Sequence, residues 1–288
     1  MKLPLHAQRF RLPLLGVRLQ ALDARKLPIE GAVASGFIRQ LDGVLYLYTC
    51  WHVVTGYDPY AIQLGSDLPN RRYLAVDLQA ADKRQPGIEV VGGPQQLVLP
   101  LYDESAVPGS PLWQQDRQHI PHFALNNINI FLPFWHDVVR IELPSTLAIS
   151  DMQAIDEDRQ FRGSSALVSP GEKCLVIGYP YGYSAFGSKQ PTPLVITRFI
   201  ASDRVEGRHR QFLLDSIAAP GMSGGPVFLE RGEDLLLLGV YTGAIYPDHA
   251  LSRREKVTAL GTVADISMHL WDHLPFVLRP SEAVGGES

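Results

Sequence analysis

A serine set among glycines is the first feature of this sequence whose residue types indicate chemistry. Ser223 lies in the segment Gly221-Met222-Ser223-Gly224-Gly225-Pro226. A serine hydroxyl is a weak nucleophile, so covalent catalysis needs a neighbouring base and donors for the negative oxygen that forms. Glycines let the backbone bend and bring N–H groups to one point. The same segment would also suit a glycine-rich turn between strands, because short motifs often match by chance.

A base and an acid that would complete such a site occur upstream of the serine. His52 follows the apolar segment Tyr46 to Cys50, and Asp137 precedes the strand-like segment Val138 to Leu143. His52 and Asp137 are 85 positions apart, and Ser223 lies 86 positions beyond Asp137. A histidine base oriented by an aspartate activates serine nucleophiles, and one known chain order is His, Asp, Ser. The sequence therefore predicts a catalytic triad of these three residues.

Two alternatives to this triad stay open at the level of sequence. In α/β-hydrolase esterases the serine stands on a strand–turn–helix elbow, with an acid and a histidine later in the chain. The segment after Ser223 predicts a strand at Pro226 to Leu229 rather than that helix. The later acid and base would have to come from Asp248, Asp265, His269 and His273. The other alternative is a catalytically silent binding module.

The remaining histidines outside the triad do not predict a second site. His119 and His122 have the spacing of metal ligands, but Pro121 interrupts them and no carboxylate or cysteine cluster accompanies them. We therefore expect a loop there and no metal ion. His136 would point to the opposite face of a strand from Asp137, so a structural role is expected.

Composition limits the classes of protein that remain. The chain has 288 residues, of which 45 % are hydrophobic, which excludes a disordered chain. With 26 basic and 30 acidic residues, it has no basic field for nucleic acid or an anionic membrane. Cys50 and Cys174 are too few for a disulfide scaffold and are expected to be core residues. The polar N-terminus and the lack of a long apolar run predict a cytoplasmic protein.

Short apolar segments separated by turn residues predict an all-β chain. Asp42-Gly43 predicts a two-residue hairpin turn. The predicted strands are Val33 to Ile38, Val44 to Thr49, Val138 to Leu143, Cys174 to Gly178, Leu194 to Ala201, Gln211 to Leu214, Pro226 to Leu229, Leu235 to Tyr241 and Val257 to Val263. Helical spacing is found only near the end, at Ile266, Leu270, Trp271 and Leu274.

Several segments resemble the trypsin-like serine peptidases of the chymotrypsin fold, of the bacterial high-temperature-requirement type. The segments around His52, Asp137 and Ser223 resemble the three catalytic motifs of that family. Shorter patches occur in the family's order at Ala34 to Ile38, Val176 to Gly182, Leu214 to Gly221 and Gly239 to Gly243. The resemblance covers the chain, in ordered patches, from about Ala34 to Trp271.

The resemblance implies two six-stranded antiparallel β-barrels and a C-terminal helix. Residues 1–150 would form the first barrel, which carries His52 and Asp137 and has long loops at about 59–133. Residues 151–278 would form the second barrel with Ser223 and the terminal helix, and residues 279–288 a flexible tail. No PDZ domain is expected, because too little chain follows the helix.

The resemblance also implies the reaction, which is hydrolysis of peptide bonds by a serine endopeptidase through an acyl-enzyme. Ser223 would attack the carbonyl, His52 would take and return the proton, and Asp137 would orient the imidazole. The backbone N–H groups of Gly221 and Ser223 would bind the oxyanion. The partner is a protein or peptide substrate, and the mechanism requires no metal and no organic cofactor.

Two departures from the digestive relatives bear on activation and specificity. Met222 stands where those enzymes carry an aspartate that pairs with a new N-terminus, so no such activation is expected. Ile217 stands where trypsin has an aspartate. With Ala218, Thr242 and Gly243, it predicts an uncharged pocket and cleavage after Val, Ala or Leu. Control is expected instead from loop ordering or an activating protein partner.

Overall fold

The structure of the chain is a computed structural model. It describes residues 5–57, 70–82, 90–105, 110–116, 137–149, 153–156, 167–182, 192–206, 209–216, 219–232, 234–245 and 260–273. The tail expected at 279–288 lies outside the described residues, as do His119, His122 and His136.

Strands account for most of the described residues, which confirms the all-β class. In chain order the elements are α1 (Leu5–Leu15), β1 (Gly16–Leu22), β2 (Pro28–Leu41), β3 (Val44–Thr49), α2 (Trp51–Thr55), β4 (Tyr73–Asp82), β5 (Val90–Pro100), β6 (Tyr102–Asp103), β7 (Ser110–Pro111), β8 (Gln115–Asp116), β9 (Val139–Glu142), β10 (Ala154–Asp156), β11 (Lys173–Gly178), β12 (Leu194–Glu206), β13 (His209–Leu214), β14 (Pro226–Arg231), β15 (Asp234–Ile245), β16 (Leu260–Ala264) and β17 (Trp271–Asp272). A 3₁₀ turn covers Pro180–Gly182.

The N-terminal half forms a curled sheet with the strand order β5-β4-β1-β2-β3-β9. The seventh strand, β10, pairs with β2 in the parallel sense. Within the described ranges this sheet is open and has one parallel pairing, so the prediction of a closed six-stranded antiparallel barrel is wrong in these details. Strand count and closure depend on pairings between distant segments, which local sequence patterns do not reveal. Strands β4 and β5 lie inside the segment 59–133 that was expected to hold long loops.

A tight hairpin joins β2 to β3, the strand that leads to His52. Its two turn residues, Asp42 and Gly43, have φ values of 48° and 81°. Two successive positive φ values define the turn that matches the twist of neighbouring strands. Leu41 pairs directly with Val44 across this turn. The predicted turn and the predicted strand Val44 to Thr49 are both confirmed.

The C-terminal half forms a closed antiparallel barrel of six strands in the order β11-β12-β13-β16-β15-β14. Its interior is filled by apolar side chains of alternate strand positions, among them Val176, Phe212, Val227, Tyr241 and Val263. The six-stranded closed barrel predicted for this half is confirmed. Together with the curled N-terminal sheet, it gives the chain the two-unit architecture of the chymotrypsin fold.

No helix forms between Ile266 and Trp271, so the predicted C-terminal helix is wrong over these residues; Leu274 lies outside the described part. Instead, β17 pairs with β8. Trp271 packs edge-on against Tyr48 with ring centroids 5.5 Å apart, and the Arg140 guanidinium lies over its indole ring. Trp271, one of the residues with helical spacing, thus packs onto the N-terminal sheet. Tertiary contacts override the helical pattern of this segment.

The N-terminal helix α1 was not predicted from the sequence. Leu12 and Leu15 on this helix are buried, and the Arg11 guanidinium donates a hydrogen bond to the Ala154 carbonyl at 2.8 Å. The helix contacts β1 of the sheet and β11, β12 and β15 of the barrel. It therefore packs against both halves of the molecule. Among the described residues, no helix has both the length and the apolar character to cross a membrane.

Candidate active site

His52 lies just beyond β3, where the chain turns from strand into the short helix α2. Gly56 ends this helix in the left-handed region, at φ 80°, and donates its N–H to the His52 carbonyl. Trp51 and Val53 on either side of the histidine are buried, whereas the His52 side chain is 24 % exposed. The buried neighbours anchor the helix while the imidazole keeps access to solvent.

Asp137 holds His52 through both of its carboxylate oxygens. Oδ2 lies 2.7 Å from Nδ1 of the imidazole, and Oδ1 accepts the backbone N–H of His52 at 2.9 Å. The Asp137 side chain is 1 % exposed. Because an ionised carboxylate only accepts hydrogen bonds, Nδ1 carries the proton and Nε2 keeps the lone pair that a base needs. The structure thus brings two of the three predicted triad residues together.

Arg71 supports the helix that carries the histidine. Its Nη1 donates to the carbonyl of His52 at 3.0 Å and to that of Val53 at 2.6 Å. Burial lowers the pKa of the Arg71 guanidinium, which nevertheless remains a cation at neutral pH. The cation adds a second donor to the His52 carbonyl and a donor to the Val53 carbonyl, at the end of a helix where carbonyls lack partners within the helix. Nothing in the sequence near Arg71 marks this role.

The loop that carries Ser223 is attached to the N-terminal sheet near the histidine. The Ser35 N–H of β2 donates to the Ser223 carbonyl at 3.0 Å. A Cβ atom on Gly224 would collide with the Ser35 carbonyl and the Thr49 hydroxyl, so only glycine allows this approach. Thr49 precedes His52 by three residues. The serine loop and the histidine helix therefore lie against the same strand end, although no hydrogen bond joins the Ser223 hydroxyl to His52 among the described contacts.

The backbone of this loop leaves two N–H groups uncommitted in the described part of the chain. The N–H groups of Met222, Gly224 and Gly225 donate to the carbonyls of Ala219, Tyr241 and Met222. Those of Gly221 and Ser223, the predicted oxyanion donors, have no such acceptor. Two uncommitted N–H groups that lie two residues apart on a glycine-rich loop can together bind a negatively charged oxygen.

Hydrogen bonds to the carbonyls on both sides of the Gly221 α-carbon orient the backbone of the first of these donors. The Tyr181 N–H donates to the Pro220 carbonyl at 2.7 Å. Because a peptide unit is planar and trans, this contact makes the Gly221 N–H point in the opposite direction. The Ser35 hydroxyl accepts the Tyr179 N–H at 2.9 Å and donates to the Gly221 carbonyl at 2.7 Å. Sequence reasoning missed these contacts of Ser35 and Tyr181; a polar serine within a buried strand was the available signal.

The strand that begins at the last residue of the serine motif decides against the α/β-hydrolase alternative. Strand β14 begins at Pro226, directly after Gly225, and pairs with β11 and β15. The nucleophile elbow of α/β-hydrolases needs a helix at this position. The esterase alternative is therefore wrong for this chain.

Half of the predicted specificity pocket can be located. Ile217 and Ala218 lie outside the described residues. The Thr242 side chain is buried, and its hydroxyl lies 2.8 Å from the Thr262 hydroxyl on the neighbouring strand β16. At Gly243 the space where a side chain would stand is open. These residues contribute no charge, whereas the pocket itself stays a prediction.

Met222 takes a position in the core of the C-terminal barrel. Its side chain is fully buried, and its sulfur lies against Gly178 of β11. An apolar contact therefore anchors the residue next to Ser223, where the digestive relatives of the resemblance would have an ion pair. The loop is tied down in the described structure through Met222, Ser35 and Tyr181.

Cys50 lies beside the His52–Asp137 pair, and its chemistry is suppressed by burial. Ligand atoms of Cys50, His52 and Asp137 lie within 4.8 Å of one another, so the three could hold a metal ion. Doing so would break the hydrogen bond between His52 and Asp137. Burial, reinforced by the Asp137 charge, raises the pKa of the Cys50 thiol well above its usual value. Cys50 and Cys174 are both buried and free, as expected from the sequence.

Comparison with known proteins finds likeness only at the level of structure. No family model matches the chain, and no curated protein matches it. Among solved structures, it is similar to the active form of the Rv3671c protease from M. tuberculosis, with a TM-score of 0.43 and 14 % sequence identity. The match covers 96 % of this chain and 87 % of that one.

Proposed function

We propose that the protein is a serine endopeptidase that uses His52, Asp137 and Ser223. The observation that carries this proposal is the clamp of Asp137 on His52, which fixes the imidazole as a base with Nε2 available. The Ser223 loop, held against the same strand end, supports it. A buried carboxylate on Nδ1 and a neighbouring serine in a glycine-rich loop are the parts from which acyl transfer is built.

In the proposed reaction, Ser223 Oγ attacks the carbonyl carbon of the substrate peptide. His52 Nε2 takes the hydroxyl proton and then gives it to the leaving amine, while Asp137 stabilises the imidazolium. Water then attacks the acyl carbon while His52 Nε2 takes a proton from it; the bond from the acyl carbon to Ser223 Oγ breaks, and His52 returns the proton to Oγ. The N–H groups of Gly221 and Ser223 bind the oxyanion in both halves, and one such donor contributes about 3–4 kcal/mol.

The proposed activity depends on the contact between Ser223 and His52, which would complete the triad. The loop has its backbone partners, whereas among the described residues the imidazole of His52 bonds to Asp137 and not to the Ser223 hydroxyl. Catalytic hydrogen bonds are often long in free enzymes and shorten when substrate binds. We propose that substrate, loop ordering or an activating protein partner brings Oγ and Nε2 together.

The proposed substrate is a protein or peptide with a small or medium apolar residue before the scissile bond. The absence of charge at Thr242 and Gly243 supports this preference. Ile217 and Ala218 are assigned to the same pocket on sequence alone. The cytoplasmic location also stays a prediction from sequence.

Covalent labelling of the serine tests the proposal. A fluorophosphonate probe should label the wild-type chain, and Ser223→Ala and His52→Ala should each abolish labelling because nucleophile and base are both required. Ser105→Ala changes an exposed serine that hydrogen-bonds locally to Asp103, and it should label like wild type. Peptidyl phosphonates ending in Val, Ala or Leu should label faster than one ending in Lys. Equal labelling of the Ser223→Ala variant would overturn the assignment.

A second candidate function is that of a catalytically silent module that binds peptides. The missing hydrogen bond between the Ser223 hydroxyl and His52 favours it. This candidate predicts a folded wild-type chain that binds peptides but is not labelled by any phosphonate, even in the presence of peptide ligands. Labelling that depends on His52 excludes it.

A further inference from the structure

A second cluster of side chains that can bind metal lies apart from the proposed active site. It consists of Asp116 on β8, His209 at the start of β13, and His269, which follows β16 and precedes β17. One ligand atom from each residue lies within 4.8 Å of the other two. We call these three residues the His–Asp cluster. No short sequence motif joins them, because each comes from a different segment of the chain.

The geometry of the cluster matches the requirements of a small divalent cation. His209 Nδ1 and Asp116 Oδ2 are 3.4 Å apart. Two ligand atoms at about 2.0–2.1 Å from a tetrahedral zinc ion are themselves separated by about 3.3 Å. The His209 and His269 rings are nearly perpendicular, with centroids 5.8 Å apart. Bringing the third ligand into place needs a shift of no more than about 1.5 Å.

The cluster is buried and polar. Asp116 is 1 % exposed, and His209 and His269 are each 7 % exposed. The Leu270 N–H donates to Asp116 Oδ1 at 3.4 Å, so Oδ2 is the oxygen directed to His209. Carboxylates and histidines are rarely buried together unless charge compensates charge or a metal binds them. Two imidazoles with one carboxylate form a ligand set suited to zinc and other first-row divalent ions.

A neighbouring amide on the same strand adds to this polar environment. Gln211 lies two residues beyond His209 in β13, so the two side chains are on the same face of that strand. It is fully buried, and neither its Oε1 nor its Nε2 has a hydrogen-bond partner in the described structure. Buried amides in native proteins almost always bond to protein groups, water or ions. The interior beside His209 therefore contains amide atoms to which no described protein group is hydrogen-bonded.

The cluster joins segments that support the proposed active site. Asp116 follows Gln114, whose backbone pairs with Arg140 on β9, the strand that begins two residues after Asp137. His269 packs against Trp271, with ring centroids 5.1 Å apart. Trp271 in turn contacts Arg140 and Tyr48. An ion bound by the cluster would tie the C-terminal barrel to the sheet segment that carries Asp137.

From this geometry we propose that Asp116, His209 and His269 form a structural binding site for a divalent transition-metal ion of the zinc class. The bound ion accepts one imidazole nitrogen from each histidine and one carboxylate oxygen. It adds stability by cross-linking three segments that lie far apart in the chain. The proposal does not depend on the proposed peptidase activity, because its tests measure metal binding and unfolding.

Zinc binding to the full-length chain tests the proposal. After treatment with a chelator and desalting, titration calorimetry with Zn²⁺ should give one site per chain. Zinc at 100 times its dissociation constant should raise Tm by about 4–5 °C. Substitution with Co²⁺ should give visible d–d bands of a site with nitrogen and oxygen ligands. This spectrum is measured on the wild-type chain and does not depend on how variants fold.

Four variants locate the site. Asp116→Asn and His269→Gln keep the side-chain size and should each abolish the stoichiometric binding and the rise in Tm. His273→Gln changes an exposed histidine four residues away and should bind zinc like wild type. His52→Gln removes the histidine of the cluster Cys50, His52 and Asp137, and it should also bind like wild type. No stoichiometric binding to the wild-type chain, or loss of binding in His52→Gln alone, overturns the proposal.

Discussion

At the scale of single residues, the site depends on close approaches that leave no room for another side chain. Gly224 has φ 89°, and its α-carbon lies against the Ser35 carbonyl and Thr49. Glycine is therefore required at this position for two reasons, its backbone conformation and the lack of room for a Cβ atom. These two requirements explain why glycine follows the serine in the motif. The sequence shows this glycine but not the reason for it.

We predict that Gly224→Ala disrupts the site far more than an equivalent change elsewhere. The substitution adds a left-handed strain of about 1–2 kcal/mol and an overpacking cost of about 1–3 kcal/mol. Gly232 also has positive φ, at 58°, but has open space around it. Gly232→Ala should therefore lose only the left-handed strain of about 1–2 kcal/mol. Urea unfolding of both variants measures the difference, and equal losses would contradict the packing seen at Gly224.

The two buried thiols predict a loss of stability at alkaline pH. Burial raises the pKa of Cys174 to about 12 and that of Cys50 well above its usual value. The pKa of each thiol is higher in the folded chain than in the unfolded chain. The contribution of the buried neutral thiols to the free energy of unfolding is therefore present below pH 9. It declines as pH rises, because the unfolded chain ionises first. Ionisation of Cys174 in the unfolded chain should lower the free energy of unfolding by about 1.4–1.9 kcal/mol between pH 8 and pH 10, and Cys50 should change it in the same direction.

Urea unfolding at pH 8 and pH 10 measures this decline. Replacing Cys174 by Ala removes one of the two titrating groups, so the decline should become smaller in that variant. The wild-type chain provides the matched reference at each pH. An identical decline in both proteins would show that Cys174 ionises as easily in the folded chain as in the unfolded one.

At the scale of secondary-structure elements, helix α1 shows how a short segment can connect the two halves. Its buried residues Leu12 and Leu15 belong to the larger apolar cluster, which includes residues of both halves. Arg11 reaches the Ala154 carbonyl on β10, and the exposed Arg9 pairs with Glu230 on β14. The apolar contacts carry most of the docking energy, because exposed ion pairs contribute little.

We predict that Leu12→Ala destabilises the chain by about 2–5 kcal/mol, the usual range for a buried leucine. Arg9→Ala removes an exposed ion pair of the same helix and should cost at most about 1 kcal/mol. Urea unfolding of the two variants at neutral pH gives the comparison. A Leu12→Ala loss no larger than that of Arg9→Ala would mean that the helix does not stabilise the fold.

At the scale of the whole molecule, the apolar core does not stop at the boundary between the halves. The larger buried cluster includes Val76 and Ile141 of the sheet together with Ile177, Phe228 and Val240 of the barrel. Hydrogen bonds from Ser35 to the serine loop cross the same boundary. The two halves therefore share buried surface and cannot separate without exposing it.

This continuity predicts that both halves unfold in one cooperative transition. Differential scanning calorimetry should show a single peak whose calorimetric and van't Hoff enthalpies agree. The Ser105→Ala variant, altered on the exposed surface, should give the same profile. Two resolved peaks would mean that the sheet and the barrel unfold as independent units.

Much of this protein was determined by local sequence patterns alone. The all-β class, the hairpin at Asp42-Gly43, and the strands that flank Ser223 follow from alternation and turn chemistry, which act over a few residues. The strand predicted after Ser223 also counted against the hydrolase elbow, which the observed strand β14 then excluded. The triad itself was proposed from residue types in a known order, and its test remains the labelling experiment.

Only the tertiary structure decided which distant residues meet. It placed the Asp137 carboxylate on His52, Arg71 under the histidine helix, and Ser35 beneath the serine loop. It replaced the expected terminal helix by a strand pair and left the N-terminal sheet open in the described ranges. It also gathered the three residues of the His–Asp cluster. The reason is that such contacts join segments far apart in the chain, and their energy depends on the packing of the whole fold rather than on local preference.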